Sequence, residues 1–255
     1  MLNNYGSISY DKYNFGLSSG NLVLNNGASL INNPTGVVYL NSDNAIESLA
    51  GSGNSITNGG LFSKTSGTDA AIASGVLFNS LDGSSMHVDA GRAILLQGGG
   101  SFVGTSTGTG VGATLAGGNW SSASGVLDGV WNWDSGTLTT GSLINNGTLN
   151  LVGSADSVVA GASTALVNNG IVQYDKYNFG LSSGNLVLND GANFSNNAVG
   201  VVHLNGDNAI VSTSGTGNFN NAGLVSKTAG AGVAIGSGVL KPGERLPPEA
   251  DLARM

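Results

Sequence analysis

The amino-acid sequence predicts an all-β fold, a parallel β-helix of about ten coils of about 23 residues each. Three observations lead there. A long segment occurs twice, a shorter signature recurs inside it, and the apolar residues come in short β-prone runs bounded by Gly, Asn and Ser.

The duplication is the firmest of the three. Residues 10–25 read YDKYNFGLSSGNLVLN, and residues 174–189 repeat the same sixteen letters at an offset of 174 − 10 = 164. Over 10–54 against 174–218 the match is 33 identities in 45, which chance does not produce, and it resumes as GLFSKT (60–65) against GLVSKT (223–228). Copy one is therefore assigned to 1–77, spacer coils to 78–169 and copy two to 170–240.

Inside the long repeat an asparagine pair, a glycine and two β-prone residues, aliphatic at all but Thr148, recur at Asn145-Asn146-Gly147, Asn168-Asn169-Gly170, Asn196-Asn197 with Gly200, and Asn220-Asn221 with Gly223. The successive glycine steps are 170 − 147 = 23, 200 − 170 = 30 and 223 − 200 = 23. A period in the low twenties suits one coil of two or three strands, each pairing with its counterpart one coil on. Seven such coils fill the long repeat. Asparagine suits the corners, since its amide tolerates left-handed backbone and can stack as a ladder.

Segments such as Leu22-Val23-Leu24, Val37-Val38-Tyr39-Leu40, Leu149-Asn150-Leu151-Val152 and Val201-Val202-His203-Leu204 are the expected strands. No window carries helical i, i+3, i+4, i+7 spacing. An antiparallel sandwich or barrel is the runner-up, but it leaves the double period of 23 and 164 unexplained. Residues 241–255, KPGERLPPEADLARM, break the pattern with three of the chain's four prolines, and read as unrelated, disordered sequence after a truncated coil; a terminal cap is the alternative.

With 43 glycines and 9% charged residues in 255, composition favours a repetitive solenoid over an ordinary enzyme core, while 40% hydrophobic content argues against disorder. A net charge of −7 with eight Lys plus Arg provides no basic face, so no nucleic-acid partner is expected. No membrane span is expected either, since no apolar run approaches the required ~18 residues. Zero cysteines exclude disulfide and thiol chemistry without fixing a compartment.

Asn220-Asn221-Ala222-Gly223-Leu224-Val225-Ser226-Lys227-Thr228, with Met86-His87-Val88-Asp89-Ala90-Gly91-Arg92 leading to Leu95-Leu96-Gln97-Gly98-Gly99, resembles the repeat regions of large bacterial surface proteins. These are the filamentous-haemagglutinin-like adhesins and autotransporter passengers. The likeness covers nearly all of 1–240 and rests on coil-corner motifs, which report architecture better than activity. It implies a right-handed β-helix, secretion, and attachment or scaffolding outside the cell. No signal peptide, export domain or anchor of the kind complete members carry is expected within these 255 residues, so an extracellular or cell-surface localisation rests on the resemblance.

Candidate binding residues follow from the long coils. The 30-residue intervals between Gly6 and Gly36, and between Gly170 and Gly200, carry about seven extra residues, expected to bulge outward around 10–19 and 174–183. That would place Tyr10, Asp11, Lys12 and Tyr13, and again Tyr174, Asp175, Lys176 and Tyr177, on paired protruding loops for a glycan or cell surface. Seven coils at about 4.8 Å would hold the loops roughly 34 Å apart. The alternative is a loop that packs its aromatics back on the coil. Trp131 and Trp133, spaced i, i+2, share one strand face and either stack on sugars or fill the coil interior.

No cofactor is required, although Ca²⁺ is conceivable at Asp43 and Asp207 in the duplicated Leu-Asn-X-Asp-Asn-Ala-Ile turn; an Asx-turn is the simpler reading. His87 and His203, the only histidines, read as outward strand residues rather than general bases. The sequence thus favours a non-catalytic structural or adhesive repeat. A polysaccharide, ester or lactone hydrolase or lyase on the same scaffold is the competitor, and uncapped coils would also permit end-to-end self-association.

Overall fold

The computed structural model describes residues 1–11, 20–43, 45–176, 184–206, 210–227, 229–230 and 235–236. Among these residues the secondary structure is β-strand throughout, in 24 strands, and every pairing between strands is parallel. Apart from pairings with the two long central strands, Gly99–Gly110 and Ala113–Asn145, each strand pairs three strands on, so the chain winds as a parallel β-solenoid with three faces.

The first face begins with Leu2–Asn4, Ser29–Asn32 and Ser55–Asn58, the second with Ser7–Tyr10, Val37–Leu40 and Leu61–Lys64, the third with Leu22–Val23, Ile46–Glu47 and Asp69–Ile72. Counted as three strands per turn, the 24 strands make about eight turns among the described residues, although the pairings on the second face run through ten successive strand segments, the number of coils expected. The difference comes from Gly99–Gly110 and Ala113–Asn145, which are continuous extended segments that bend around several faces instead of breaking at corners. Gly129, with φ +70°, marks one bend, and a Cβ there would strike the Gly108 carbonyl.

Coil length varies around the expected period. Leu149 aligns with Val172, a step of 172 − 149 = 23, whereas Gly100 aligns with Trp120, a step of only 120 − 100 = 20. Ser7 pairs Val37 and Ile171 pairs Val201, so both copies contain the long coil read from the glycine spacing. The excess falls between Tyr10 and Leu22 and between Tyr174 and Leu186, while the step from Leu22 to Ile46 is ordinary. Whether those insertions protrude lies outside the described residues, as do Lys12, Tyr13, Tyr177, Asp207 and the segment 237–255.

The interior is a single column of apolar side chains. Strands alternate inward and outward, as in Ser29–Asn32 and Thr148–Leu151, so Leu30, Ile56, Phe78 and their counterparts stack from coil to coil with almost no exposed surface. In the tight central coils, glycine and indole alternate. Gly100 aligns with Trp120, and a Cβ on Gly108 would meet Trp131 Nε1 at 3.0 Å, so absent side chains in one coil make room for indoles in the next. Phe102 joins both indoles, 5.4 Å from the Trp120 ring and 5.7 Å edge-on to Trp131.

One corner carries the asparagine ladder. Asn145 Nδ2 donates to Asn168 Oδ1, Asn168 Nδ2 to Asn196 Oδ1, and Asn196 Nδ2 to Asn221 Oδ1, each at 2.7 Å. Copy one repeats it from Asn4 through Asn32 to Asn58, at 2.8 Å per step. The same Nδ2 groups donate to carbonyls of the next coil, Ile171 and Val201 among them, which fixes the amide orientation. The recurrent glycine follows from this. A Cβ at Gly200 would collide with Asn196 Oδ1, so the ladder requires the missing side chain.

Candidate surface site on the second face

The second face aligns outward positions of successive strands in two rows offset by two residues where Gly108 pairs Gly129: Ser9 with Tyr39, Ser63, His87 and Thr109 in one, and Asn132 with Asn150, Gln173, His203 and Ser226 in the other. Hydrogen bonds link these rows between coils. His87 Nδ1 is 3.0 Å from Thr109 Oγ1, Asn150 Nδ2 donates to Asn132 Oδ1 at 2.9 Å, and His203 Nδ1 is 2.8 Å from Ser226 Oγ. Tyr39 is the exposed aromatic of the first row.

The corner after this face holds the duplicated acids. Asp11 is exposed and accepts from Ser9 Oγ at 2.7 Å; that bond and one from Asn41 hold its carboxyl below the ordinary range. Asp175, also exposed, accepts from Asn205 Nδ2 at 2.7 Å, and the same amide reaches Gln173 Oε1 at 3.1 Å. Asn41 and Asn205 are counterparts in the two copies, like the two aspartates. Seven strand pairings separate Ser7–Tyr10 from Ile171–Tyr174 on this face, so at about 4.8 Å per coil the two acid-amide corners stand roughly 34 Å apart.

Most of the other sequence-derived candidates among the described residues point inward. Tyr10 and Tyr174 are core residues, 8% and 0% exposed, and their hydroxyls donate to the Gly20 and Gly184 carbonyls across the bases of the long insertions. Burial pushes the Tyr174 hydroxyl pKa well up. Lys176 is corrected from loop residue to buried cation. It is 2% exposed, and its ammonium donates to the carbonyls of Asp134, Val152 and Ala155 at 2.6–2.8 Å. Burial lowers its pKa to about 8. Strand parity is the reason: two residues after the inward Tyr174, Lys176 must also face in.

Trp131 and Trp133 do share a face, but it is the interior one. They are 1% and 0% exposed, with indole N–H groups donating to the carbonyls of Asp128 and Ser135. Sugar stacking is therefore closed to both, and they complete the apolar column of the tight central coils.

At Asp43 the donors do not fit calcium. One carboxylate oxygen accepts the Thr68 backbone N–H, and the nearby carbonyls of Leu40, Ser42 and Ser66 already receive the Lys64 ammonium at 2.8–3.2 Å. Lys64 is fully buried, and burial lowers its pKa against the opposing pull of Asp43. Among the described residues no three His, Cys, Asp or Glu side chains cluster for a metal. Sequence reasoning passed over Lys64, although its parity with the inward Phe62 in Leu61–Lys64 announces it.

His87 has more company than an isolated strand residue. Its Nε2 is 3.1 Å from Asp89 Oδ1, which places the ring between a carboxylate and the Thr109 hydroxyl, in the half-exposed second face. Thr109 Oγ1 also reaches the Met86 carbonyl at 3.3 Å.

Fold and surface together define a parallel β-solenoid repeat protein. No family model, no curated protein and no solved structure matches the chain. Among the described residues no helix is long and apolar enough to cross a membrane.

Proposed function

We propose that this chain is a non-catalytic adhesive and scaffolding segment of a secreted or surface-exposed bacterial protein, which binds an extended glycan along the outward rows of its second face. The observation that carries the reading is the pair of outward rows: phenol, hydroxyl and imidazole groups from Tyr39 through Ser63 and His87 to Thr109, then amide, imidazole and hydroxyl groups from Asn132 through Asn150, Gln173 and His203 to Ser226, each repeating at one-coil intervals on one rigid face. A polysaccharide presents hydroxyls at a similarly regular spacing, and many weak hydrogen bonds on a preorganised surface add without an ordering cost at each step. The paired corners at Asp11 with Asn41 and Asp175 with Asn205 give two equivalent contacts, as a bivalent ligand would use. Continuation of the stack onto further coils or a second copy belongs to the same reading, since edge strands pair readily.

A hydrolase on this scaffold is the second reading, favoured only by the Asp89, His87 and Thr109 chain, which has the order of carboxylate, base and hydroxyl. A glycan array run with and without calcium tests the first reading beside an ester and polysaccharide hydrolysis panel. Binding that falls at least tenfold in Tyr39→Ala with His203→Ala supports adhesion. Turnover lost in His87→Ala supports the enzyme.

A further inference from the structure

The geometry points to Asn146 as a self-modifying site, where attack by the Gly147 backbone nitrogen converts the side-chain amide through a succinimide into aspartate and isoaspartate. The co-reactant is water. Five Asn-Gly pairs occur in the chain, at Asn26, Asn58, Asn146, Asn169 and Asn205, and glycine at the following position removes the side chain that would obstruct ring closure.

What separates the pairs is hydrogen bonding. Asn58 is completely buried inside the ladder, and the N–H of Gly59 donates to the Asn32 carbonyl. The N–H of Gly27 is held by Asn54 Oδ1 at 2.9 Å, and that of Gly170 by the Asn145 carbonyl at 3.1 Å. The Asn205 amide nitrogen, which would have to leave, donates to both Asp175 and Gln173. Asn146 is exposed, and among the described residues no hydrogen bond restrains its Nδ2 or the Gly147 N–H.

The second observation concerns the carbonyl that is attacked. Beside the buried ladder runs an outer one of opposite polarity: Asn197 Nδ2 donates to Asn169 Oδ1 at 2.6 Å, and Asn169 Nδ2 donates to Asn146 Oδ1 at 3.0 Å. Asn146 is thus the terminal acceptor. The Asn169 donor is aimed at the oxygen on which negative charge develops when the Gly147 nitrogen adds to Cγ.

The step balances with these atoms. The Gly147 nitrogen gives its proton to solvent base and forms the N–Cγ bond, and the Cγ–Nδ2 bond breaks as ammonia takes up a proton. Water then opens the five-membered imide at either carbonyl. The aspartate product keeps the Asn169 donor and makes that bond charge-assisted. The fold accepts a carboxylate in such a corner: Asp190-Gly191 occupies the copy-two position of Asn26-Gly27, with the same φ of 55° at Asp190 and Asn26.

The test incubates the folded protein in mildly alkaline ¹⁸O-labelled water and maps peptides by mass spectrometry. The peptide containing Asn146 should gain one ¹⁸O and split into aspartate and isoaspartate forms before any other Asn-Gly peptide reacts. Asn169→Ala should slow that conversion about fivefold, the worth of one neutral hydrogen bond in the transition state. Chain unfolded in denaturant supplies the control, in which all five pairs should react at comparable rates. Equal rates at Asn146 and Asn169 in the folded protein, or an Asn169→Ala variant as fast as the parent, would overturn the assignment.

Discussion

The Tyr174 hydroxyl donates to the Gly184 carbonyl at 2.9 Å and accepts the Leu186 N–H at 3.0 Å, so one buried phenol closes the excursion that makes its coil longer than its neighbours. Tyr10 and Gly20 repeat the relation in copy one. The tyrosine is therefore the clasp of the insertion rather than its binding tip. Tyr174→Phe leaves the ring in place and removes the hydroxyl that links the Gly184 carbonyl to the Leu186 N–H, which should cost about 1–3 kcal/mol in denaturant melts and leave glycan binding unchanged.

Lys176 makes stability depend on pH in a definite direction. Its folded pKa of about 8 lies below the ordinary lysine value of 10.5, so between those values the unfolded chain binds the extra proton. Stability from this group is therefore lowest below about pH 8 and rises as pH increases toward 10.5. The shift for Lys64 has the same sign. Urea midpoints of the parent should rise by the equivalent of at most about 2 kcal/mol between roughly pH 7.5 and 9.5. In Lys176→Met that rise should shrink; an identical pH profile would remove Lys176 as its source.

The two asparagine ladders should differ sharply in energetic weight. Asn168 is fully buried and bonded to both Asn145 and Asn196, so Asn168→Ala takes one ladder partner from each of two amides in a dry interior and should cost about 2–4 kcal/mol. Asn197 lies in the exposed outer ladder, where water replaces the lost partner, and Asn197→Ala should cost less than about 1 kcal/mol. Thermal and urea melts of the two variants side by side check the contrast.

The central indoles give a test of the interior assignment. Trp131→Ala empties a site packed against Phe102 and should cost about 3–5 kcal/mol. Gly108→Ala errs the other way, forcing a methyl against the Val130 carbonyl and the Trp131 ring, for about 1–3 kcal/mol. Neither variant should alter glycan affinity once folded; a selective loss of binding in Trp131→Ala would contradict its burial.

Much of the architecture was legible because a solenoid is quasi-one-dimensional. Each coil pairs its strands only with the neighbouring coils, so the regular spacing of Asn-Asn-Gly and the long duplication are direct images of the fold. The wide interval between Gly170 and Gly200 likewise located the long coil correctly, since a parallel register converts sequence spacing into coil length. The lengths of the central coils were less legible. The central coils bend through Gly129 and similar positions without the Asn-Asn signature, and they take the shorter steps from Phe78 to Gly100 and from Gly100 to Trp120.

The candidate site was read less well, for a reason visible in YDKYNF. Treating the whole segment as an inserted loop turned Tyr174, Asp175 and Lys176 outward together, whereas Tyr174 still ends a strand and Lys176 keeps its inward parity. Among the described members of the two segments, only Asp11 and Asp175 face water as expected.

By itself the sequence determined the repeat, its period, the asparagine corners and the positions of the long coils, since these depend on spacing along the chain. Tertiary structure alone decided which side chains meet across coils: the Lys64 and Lys176 ammoniums in their carbonyl rings, Trp131 over Gly108, and Asn169 against Asn146. Such meetings depend on register between coils of unequal length, from the short step that pairs Val130 with Thr148 to the long one that pairs Ile171 with Val201. A shift of that register by a single position would turn every side chain of a strand to the opposite face.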